Sequence, residues 1–155
     1  MFEWLELTPV AIWVGESLWG YPIMLGLHAV GLAIVVGIFV MRDLRLMGFF
    51  QGISYESLNG LRNLGWTGFV INAVSGCFLF ASQATTFITS TPFLLKISMI
   101  FIAAVFAALI QNKLRDDAVQ WDSGGRAAGS VRTFAMISTA MWMGAIIAGR
   151  LVAYL

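Results

Sequence analysis

Four long apolar segments constrain the fold of this chain more than any other feature of its sequence. Each extends over about 20 residues, the length of helix that crosses the hydrocarbon core of a bilayer. The segments cover approximately residues 18–41, 64–83, 93–111 and 133–154. They are too continuous for strands of a membrane barrel, which alternate apolar and polar residues over about ten positions. The sequence therefore predicts an all-α, integral membrane four-helix bundle, with residues 1–155 forming a single transmembrane domain.

The composition supports a lipid environment and excludes several classes of function. Hydrophobic residues make up 59% of the chain and charged residues 11%, whereas soluble domains have about 25% charged residues. A net charge of +1 without a basic tract argues against nucleic-acid binding. One cysteine, Cys77, and one histidine, His28, exclude an intrachain disulfide, a Cys-rich metal site and any site that needs two imidazoles from one chain.

The distribution of cations predicts the orientation in the membrane. Seven of the nine lie in or beside the first and third connections between spans: Arg42, Arg45, Arg62, Lys113, Arg115, Arg126 and Arg132. Cytoplasmic loops carry an excess of Lys and Arg, so both connections are expected to face the cytoplasm. The N-terminus and C-terminus then lie on the periplasmic side of a bacterial inner membrane. The mixed aromatic and acidic segment from Met1 to Val14 is typical of a short interfacial segment.

Small residues at four-residue spacing predict the surfaces through which the helices pack, since they let helix backbones approach closely in lipid. Three such rows are present: Ala29, Ala33 and Gly37; Ala73, Cys77 and Ala81; and Ala140, Gly144 and Ala148. Cys77 is accordingly expected to be a small buried thiol. Asp43 and Arg45 are interpreted as the start of the cytoplasmic connection, where Arg42 and Arg45 fix the topology and Asp43 caps or pairs locally.

Ionisable groups within spans are costly and are therefore the best pointers to function. His28 lies about 15 Å along the first span, near the bilayer centre, at the depth of Asn72 and Met143. Lys96 and Arg150 lie on other spans, each about 7 Å from the outer surface. This offset predicts a b-type haem whose iron takes His28 and whose carboxylates meet Lys96 and Arg150, with Asn72 nearby. The second iron ligand is open: a methionine such as Met143 or Met141, none in a five-coordinate iron, or a residue of a neighbouring subunit.

Several alternatives remain open at this point. His28 with Met143 and Met24 is a candidate copper site, because Cu(I) accepts imidazole and thioether ligands. A quinone or another lipid-like ligand is a third possibility, with walls formed by Trp19, Tyr21 and Trp142. A purely structural reading has Lys96 and Arg150 reaching the outer headgroups and His28 making an interhelical hydrogen bond.

Three segments carry a resemblance to a known family: HAVGLAIVVGIFVMRDLRLMG, SGCFLFASQAT with TPFLLK, and AMWMGAIIAGRLVAY. The chain resembles a widespread bacterial four-helix inner-membrane family of unknown function, and is remotely similar to copper-resistance D-type domains and small b-type cytochrome subunits. The resemblance implies that His28, the turn from Asp43 to Arg45, Lys96 and Arg150 belong to the family pattern. It also implies a second histidine in some members, where this chain has residues 109–112, LIQN.

The sequence thus predicts a small membrane subunit of a redox or electron-transfer complex that binds haem b or a related metal cofactor through His28. A non-catalytic structural or assembly subunit and a copper-handling protein are the alternatives. No nucleophile motif is present, which favours a subunit over an independent enzyme. The expected partners are membrane lipids, other membrane subunits or further copies of the chain, and a periplasmic redox partner.

Overall fold

The computed structural model describes residues 2–123, 126–152 and 154, and over those ranges its regular secondary structure is entirely helical. The helices in these ranges are α1 (Glu3–Glu6), α2 (Pro9–Glu16), α3 (Gly20–Met47), α4 (Tyr55–Gly60), α5 (Arg62–Ser82), α6 (Ala84–Thr89), α7 (Thr91–Asp122) and α8 (Gly129–Leu151). Four of them, α3, α5, α7 and α8, are long and apolar enough to cross a membrane. The prediction of an all-α fold with four helices long and apolar enough to span a membrane is therefore confirmed for the described residues.

Two spanning helices are longer than the sequence pattern predicts. α3 continues to Met47 instead of ending near residue 41, and α7 continues to Asp122 instead of ending near residue 111. At a rise of 1.5 Å per residue, α7 is about 48 Å long, which exceeds the roughly 30 Å of bilayer hydrocarbon. Its last turns pack against α4, where Trp121 meets Tyr55 edge to face with ring centroids 5.5 Å apart. These turns therefore extend a helix that began as a membrane span.

The spanning helices share a core around the middle of α3. α3 packs against α5 and α8, and α8 packs in turn against α7. Val35 and Phe39 of α3, Ala103 and Ala107 of α7, and Trp142 of α8 form one buried cluster. Along the described part of the chain, α5 and α7 do not pack closely against each other. A groove consequently lies between these two helices.

α3 and α5 approach each other closely at glycines that lie outside the predicted rows of small residues. A Cβ atom added at Gly31 would lie 2.6 Å from the Asn72 backbone nitrogen, and one added at Gly68 would lie 2.6 Å from Ile34. Small residues also face lipid, where no neighbouring helix requires them, so four-residue spacing alone does not identify the packed face. The predicted rows on α3 and α5 are wrong for this reason, whereas on α8 Ala148 is buried and a Cβ added at Gly144 would lie 2.8 Å from Met99 Sδ of α7. Most of their members are exposed or partly exposed: Ala29, Ala33, Gly37, Ala73, Cys77, Ala81, Ala140 and Gly144.

Arg42 and Asp43 form a buried ion pair within α3, so the expected local pairing of Asp43 is confirmed, whereas the interpretation of this segment as the start of a connection is wrong. The Arg42 Nη2 atom lies 2.7 Å from Asp43 Oδ1, and the side chains are 1% and 0% exposed. Arg42 Nη1 also donates to the Ala107 carbonyl of α7 at 3.1 Å. Because the pair neutralises itself inside the bundle, α3 continues past it, and the chain turns only at Gly48, whose φ is +106°.

The N-terminal segment, described from Phe2 onward, is helical and attached to the bundle. Thr8 caps α2 by accepting a hydrogen bond from the Ala11 amide, and α2 packs against α5 and α3. Glu6 Oε1 accepts hydrogen bonds from the amide and hydroxyl of Thr85, at 2.8 and 2.7 Å. The hydrogen bond from the Thr85 hydroxyl, and to a smaller extent the one from the Thr85 amide, holds the pKa of Glu6 below its usual range. Residues 1 and 153, which belong to the predicted N-terminal segment and fourth span, lie outside the described residues.

Candidate functional site

The His28 side chain on α3 is held by the backbone of α5. Its Nδ1 atom lies 2.9 Å from the Asn72 carbonyl oxygen, and the Asn72 side-chain amide donates to the His28 carbonyl at 2.8 Å. A carbonyl oxygen only accepts hydrogen bonds, so Nδ1 carries a proton and donates it to this bond. In the neutral ring, Nε2 is then an acceptor. The reciprocal bonds fix both the orientation of the imidazole and the nitrogen that it presents.

Two small residues of α5 make room for this imidazole. The Ser75 hydroxyl lies 3.3 Å from His28 Nδ1 and donates to the Ile71 carbonyl at 2.6 Å. A Cβ atom added at Gly76 would lie 3.0 Å from His28 Cε1. Sequence reasoning missed both residues. The signal was available, because Ser75 and Gly76 follow Asn72 by three and four positions and therefore lie on the same face of a helix.

Lys96 of α7 meets the other nitrogen of the ring. Its Nζ atom lies 3.4 Å from His28 Nε2, and Nζ is the donor since Nε2 presents a lone pair. The aliphatic stem of Lys96 passes beside Gly149 of α8, where an added Cβ would lie 3.3 Å from the lysine Cδ. Among residues 2–123, 126–152 and 154, no carboxylate lies within 4 Å of Nζ. The lysine is thus half-buried beside an imidazole, without a charged partner in the described chain.

His28 and Lys96 lie in the wall of the groove between α5 and α7. The groove has a volume of about 500 Å³ and is partly open. Its remaining walls are mainly apolar and are formed by Phe69, Ala73, Gly76, Cys77, Phe80, Ile88, Phe93, Leu94, Ile97 and Ile100, together with Asn72 and Ser98. Cys77 is exposed here, so the expectation of a buried thiol is wrong. An apolar groove with a few convergent polar groups has the general character of a small-molecule site.

The structure brings three of the predicted site residues together and leaves three elsewhere. His28, Asn72 and Lys96 all line the groove. Arg150 is exposed, and its guanidinium lies over the Tyr154 ring at 5.4 Å. Met143 is exposed on α8, and Met24 lines a separate groove beside α5. Lys96, which the depth estimate placed at the level of Arg150, instead reaches inward to the histidine.

The donor set of the groove limits the metal chemistry that it can support. His28 is oriented as metal-ligating histidines usually are, with Nδ1 bonded to a carbonyl and Nε2 presented outward. However, a cationic Lys96 beside Nε2 disfavours a metal ion at that nitrogen, and no methionine is among the residues that line the groove. Within the part of the chain that the structure describes, no group of three or more His, Cys, Asp or Glu side chains is placed to hold a metal ion.

The pair is better suited to a hydroxyl group. A hydroxyl both donates and accepts, so it can replace Lys96 as the donor to the single lone pair of His28 Nε2 and accept a hydrogen bond from Lys96 Nζ at the same time. A ligand with such a group and an apolar body would satisfy both polar atoms and fill the groove.

Comparison of the chain with protein-family models, with curated proteins and with solved structures finds no match.

Proposed function

We propose that this protein is a small integral membrane subunit of a redox system that binds an amphipathic quinol in the groove between α5 and α7. The observation that carries the proposal is the His28–Lys96 pair, whose acceptor and donor atoms are 3.4 Å apart in the wall of an apolar groove. The quinol hydroxyl donates to Nε2 and accepts from Nζ. The apolar ring and tail lie against the aromatic and aliphatic walls.

The architecture supports this class of ligand over a soluble one. The groove lies between two spanning helices and is partly open, so a lipid-dissolved molecule reaches it without crossing water. Removal of the quinol proton in a redox step requires a nearby acceptor, and Nε2 is that acceptor. Lys96 stabilises the negative charge that develops on the quinol oxygen. The two electrons and the second proton of the quinol would have to pass to a redox centre of a partner subunit, such as a haem or an iron–sulfur cluster.

We further propose the bacterial inner membrane as the location, with both termini on the periplasmic side. The support is the set of Arg and Lys side chains on the helix segments that flank the α3–α5 and α7–α8 connections, Arg45, Arg62, Lys113, Arg115 and Arg132, together with Arg126 between α7 and α8. The groove then lies in the periplasmic half of the membrane, because Lys96 is in the second turn of α7. Insertion of a reporter at each terminus and in each connection tests the orientation.

The ligand is tested by comparing a quinol with its dimethyl ether. A short-chain ubiquinol keeps both hydroxyl groups, whereas the ether has the same apolar body and cannot donate to Nε2. Loss of a hydrogen bond to a buried polar group costs about 1.5 kcal/mol or more, so the ether should bind about ten-fold more weakly. Equal affinity of the two molecules, measured by titration in detergent micelles, would overturn the proposal.

Two variants test whether quinol binding depends specifically on the lysine that lines the groove. Lys96 and Lys113 are the two lysines of the chain, both on α7, and Lys113 does not line the groove. Lys96→Met should weaken quinol binding by about ten-fold or more, since a charged donor is lost. Lys113→Met should leave binding unchanged. Similar losses in both variants would show that binding depends on overall charge instead of the groove.

Cys77 provides a readout that needs no variant. It is the single cysteine and lines the groove, so alkylation by a lipid-soluble maleimide reports on access to this volume. Saturating quinol should slow the alkylation. An unchanged rate while quinol is bound would place the ligand outside the groove.

Haem b ligated by His28 is the second candidate, and the hydrogen bond from Nδ1 to the Asn72 carbonyl favours it. His28 would hold the haem iron if Lys96 moved away from Nε2, and Lys96 would then meet a haem carboxylate. Reduced and oxidised absorption spectra of the full-length protein test this candidate, and a b-type spectrum that disappears in His28→Leu would support it. Failure of both ligand tests would leave a structural or assembly subunit.

A further inference from the structure

A second cavity lies where α3 ends and α8 begins. It is separate from the groove between α5 and α7 that His28 and Lys96 line, which we call the His28 groove. It has a volume of about 560 Å³ and is about 25 Å along α3 from His28. Three arginines from three segments line it: Arg45 of α3, Arg126 of the α7–α8 connection and Arg132 of α8. We refer to this cavity as the arginine cleft. Unlike the His28 groove, it is lined mainly by polar groups.

The arginines of the cleft have no acidic partners in the described chain. Arg45 donates to the Ile53 carbonyl at 2.7 Å and to the Tyr55 hydroxyl at 3.2 Å, and its guanidinium lies over the Tyr55 ring. Arg132 donates to the Met47 carbonyl at 3.4 Å, and Arg126 is exposed. Among residues 2–123, 126–152 and 154, none of the three lies within 4 Å of a carboxylate.

Asp122 also lines the cleft, but its carboxylate is engaged elsewhere. Oδ1 accepts from the Tyr55 amide at 2.8 Å and Oδ2 accepts from the Glu56 amide at 3.0 Å. Both oxygens thus bind the N-terminus of α4, which carries partial positive charge. The cleft thus has three positively charged guanidinium groups and one carboxylate, whose oxygens are already hydrogen-bonded, so its net charge is positive.

We propose that the arginine cleft binds a phosphate-bearing anion at the membrane surface. Guanidinium groups present paired N–H donors that match the oxygens of a phosphate group. Arg45 is held in place by Ile53 and Tyr55, so the cleft does not have to order this side chain when it binds a ligand. Two chemical sources carry this group: the headgroup of an anionic phospholipid and free phosphate. This proposal is independent of the quinol proposal because it uses no residue of the His28 groove.

The test measures thermal unfolding of the full chain with two probes. Phosphatidylglycerol is added to zwitterionic micelles against an equal amount of phosphatidylcholine, and inorganic phosphate is added against chloride at equal ionic strength. We expect phosphatidylglycerol to raise the unfolding temperature in a saturable way. If phosphate at millimolar concentration gives the same increase, the site accepts the free anion; if it does not, the lipid headgroup is the ligand. If neither probe raises the unfolding temperature, the proposal is overturned.

A double variant and a charge-matched control locate the effect. Arg126→Gln with Arg132→Gln should weaken the response by about ten-fold in ligand concentration, since two solvent-exposed charged interactions are lost. Arg62→Gln with Arg115→Gln changes the net charge equally, and neither residue lines the cleft. This control should keep the response. Equal weakening in both would show general surface electrostatics and overturn the proposal.

Replacement of Arg126 and Arg132 by lysine provides a second variant that keeps the charge and exposure of each position. Lysine retains attraction to the phosphate and loses the paired donors. An intermediate response is expected, between those of the parent chain and the glutamine double variant. A response as weak as that of the glutamine variant, with unfolding otherwise unchanged, would contradict a site based on charge.

Discussion

Substitution of Gly31 by alanine tests whether the close approach of α3 and α5 holds the histidine in place. Gly31 follows His28 by three positions, so both residues lie on the same face of α3. The added Cβ would lie 2.6 Å from the Asn72 nitrogen, 2.9 Å from the Gly68 oxygen and 3.0 Å from the Asn72 Cα, all of which are backbone atoms. Backbone atoms of a packed helix cannot turn away, so the two helices must separate.

The size of the separation follows from these distances. Non-bonded heavy atoms are ordinarily about 3.5 Å or more apart, so the helices must move by about 1 Å near Asn72. The bonds between His28 and Asn72, now 2.9 and 2.8 Å, would then exceed hydrogen-bonding distance. Loss of two such bonds costs about 2 kcal/mol, and overpacking costs about 1–3 kcal/mol. The helix propensity of alanine offsets about 1 kcal/mol. The net destabilisation is about 3 kcal/mol.

Gly37→Ala is the matched control. Gly37 lies on the same helix, and an added Cβ would have no atom within 4 Å apart from the neighbouring backbone of α3 itself. This substitution gains the same helix propensity without a clash, so it should be neutral or stabilise by up to about 1 kcal/mol. Unfolding of the two variants by SDS titration in mixed micelles measures their difference in free energy. Equal stability of Gly31→Ala and Gly37→Ala would refute the reasoning.

Two further predictions concern groups outside the groove. Arg42→Met leaves the buried Asp43 carboxylate without its partner and should destabilise the protein by about 3–5 kcal/mol. The double variant with Asp43→Leu should recover most of that loss. If Arg42→Met alone is as stable as the parent chain, the burial of the pair is contradicted. The hydrogen bonds of Thr85 lower the pKa of Glu6, so their contribution to stability is present above the ordinary glutamate pKa and is lost as pH falls through the lower folded value. The Thr85 amide signal in NMR should titrate below the usual glutamate range in the parent chain, and a midpoint at or above that range would contradict the bond.

The sequence was sufficient to predict the number and type of spanning helices because each apolar run has the length that a bilayer requires. It also identified His28, Lys96 and Asn72, since polar groups in apolar helices are rare and need partners. The ends of α3 were harder to predict. Arg42 and Asp43 look like a helix end when each is counted as a separate charge, but as a pair they neutralise each other and remain buried.

The contacts between helices depend on rotation, which the sequence leaves undetermined. Cys77 and Gly31 are both small residues in apolar helices, yet Cys77 lines an open groove and Gly31 touches the Asn72 backbone. Lys96 could reach the outer surface or His28, because its long side chain spans the difference in depth. Only the positions of α7 and α8 show that it bends toward the histidine. The rotation of each helix and the direction of the Lys96 side chain are therefore set by packing between segments that are distant in the sequence.

The central claim, that His28 presents Nε2 to the polar head of a ligand in the groove, is tested most directly by NMR of the histidine side chain. Isotope labelling of histidine gives signals from His28 alone, because it is the single histidine of the chain. Without ligand, Nδ1 should be protonated and Nε2 unprotonated. Addition of short-chain ubiquinol should shift the Nε2 signal and leave Nδ1 nearly unchanged. A proton on Nε2 in place of Nδ1, or an Nε2 signal that does not respond to the quinol, would contradict the claim.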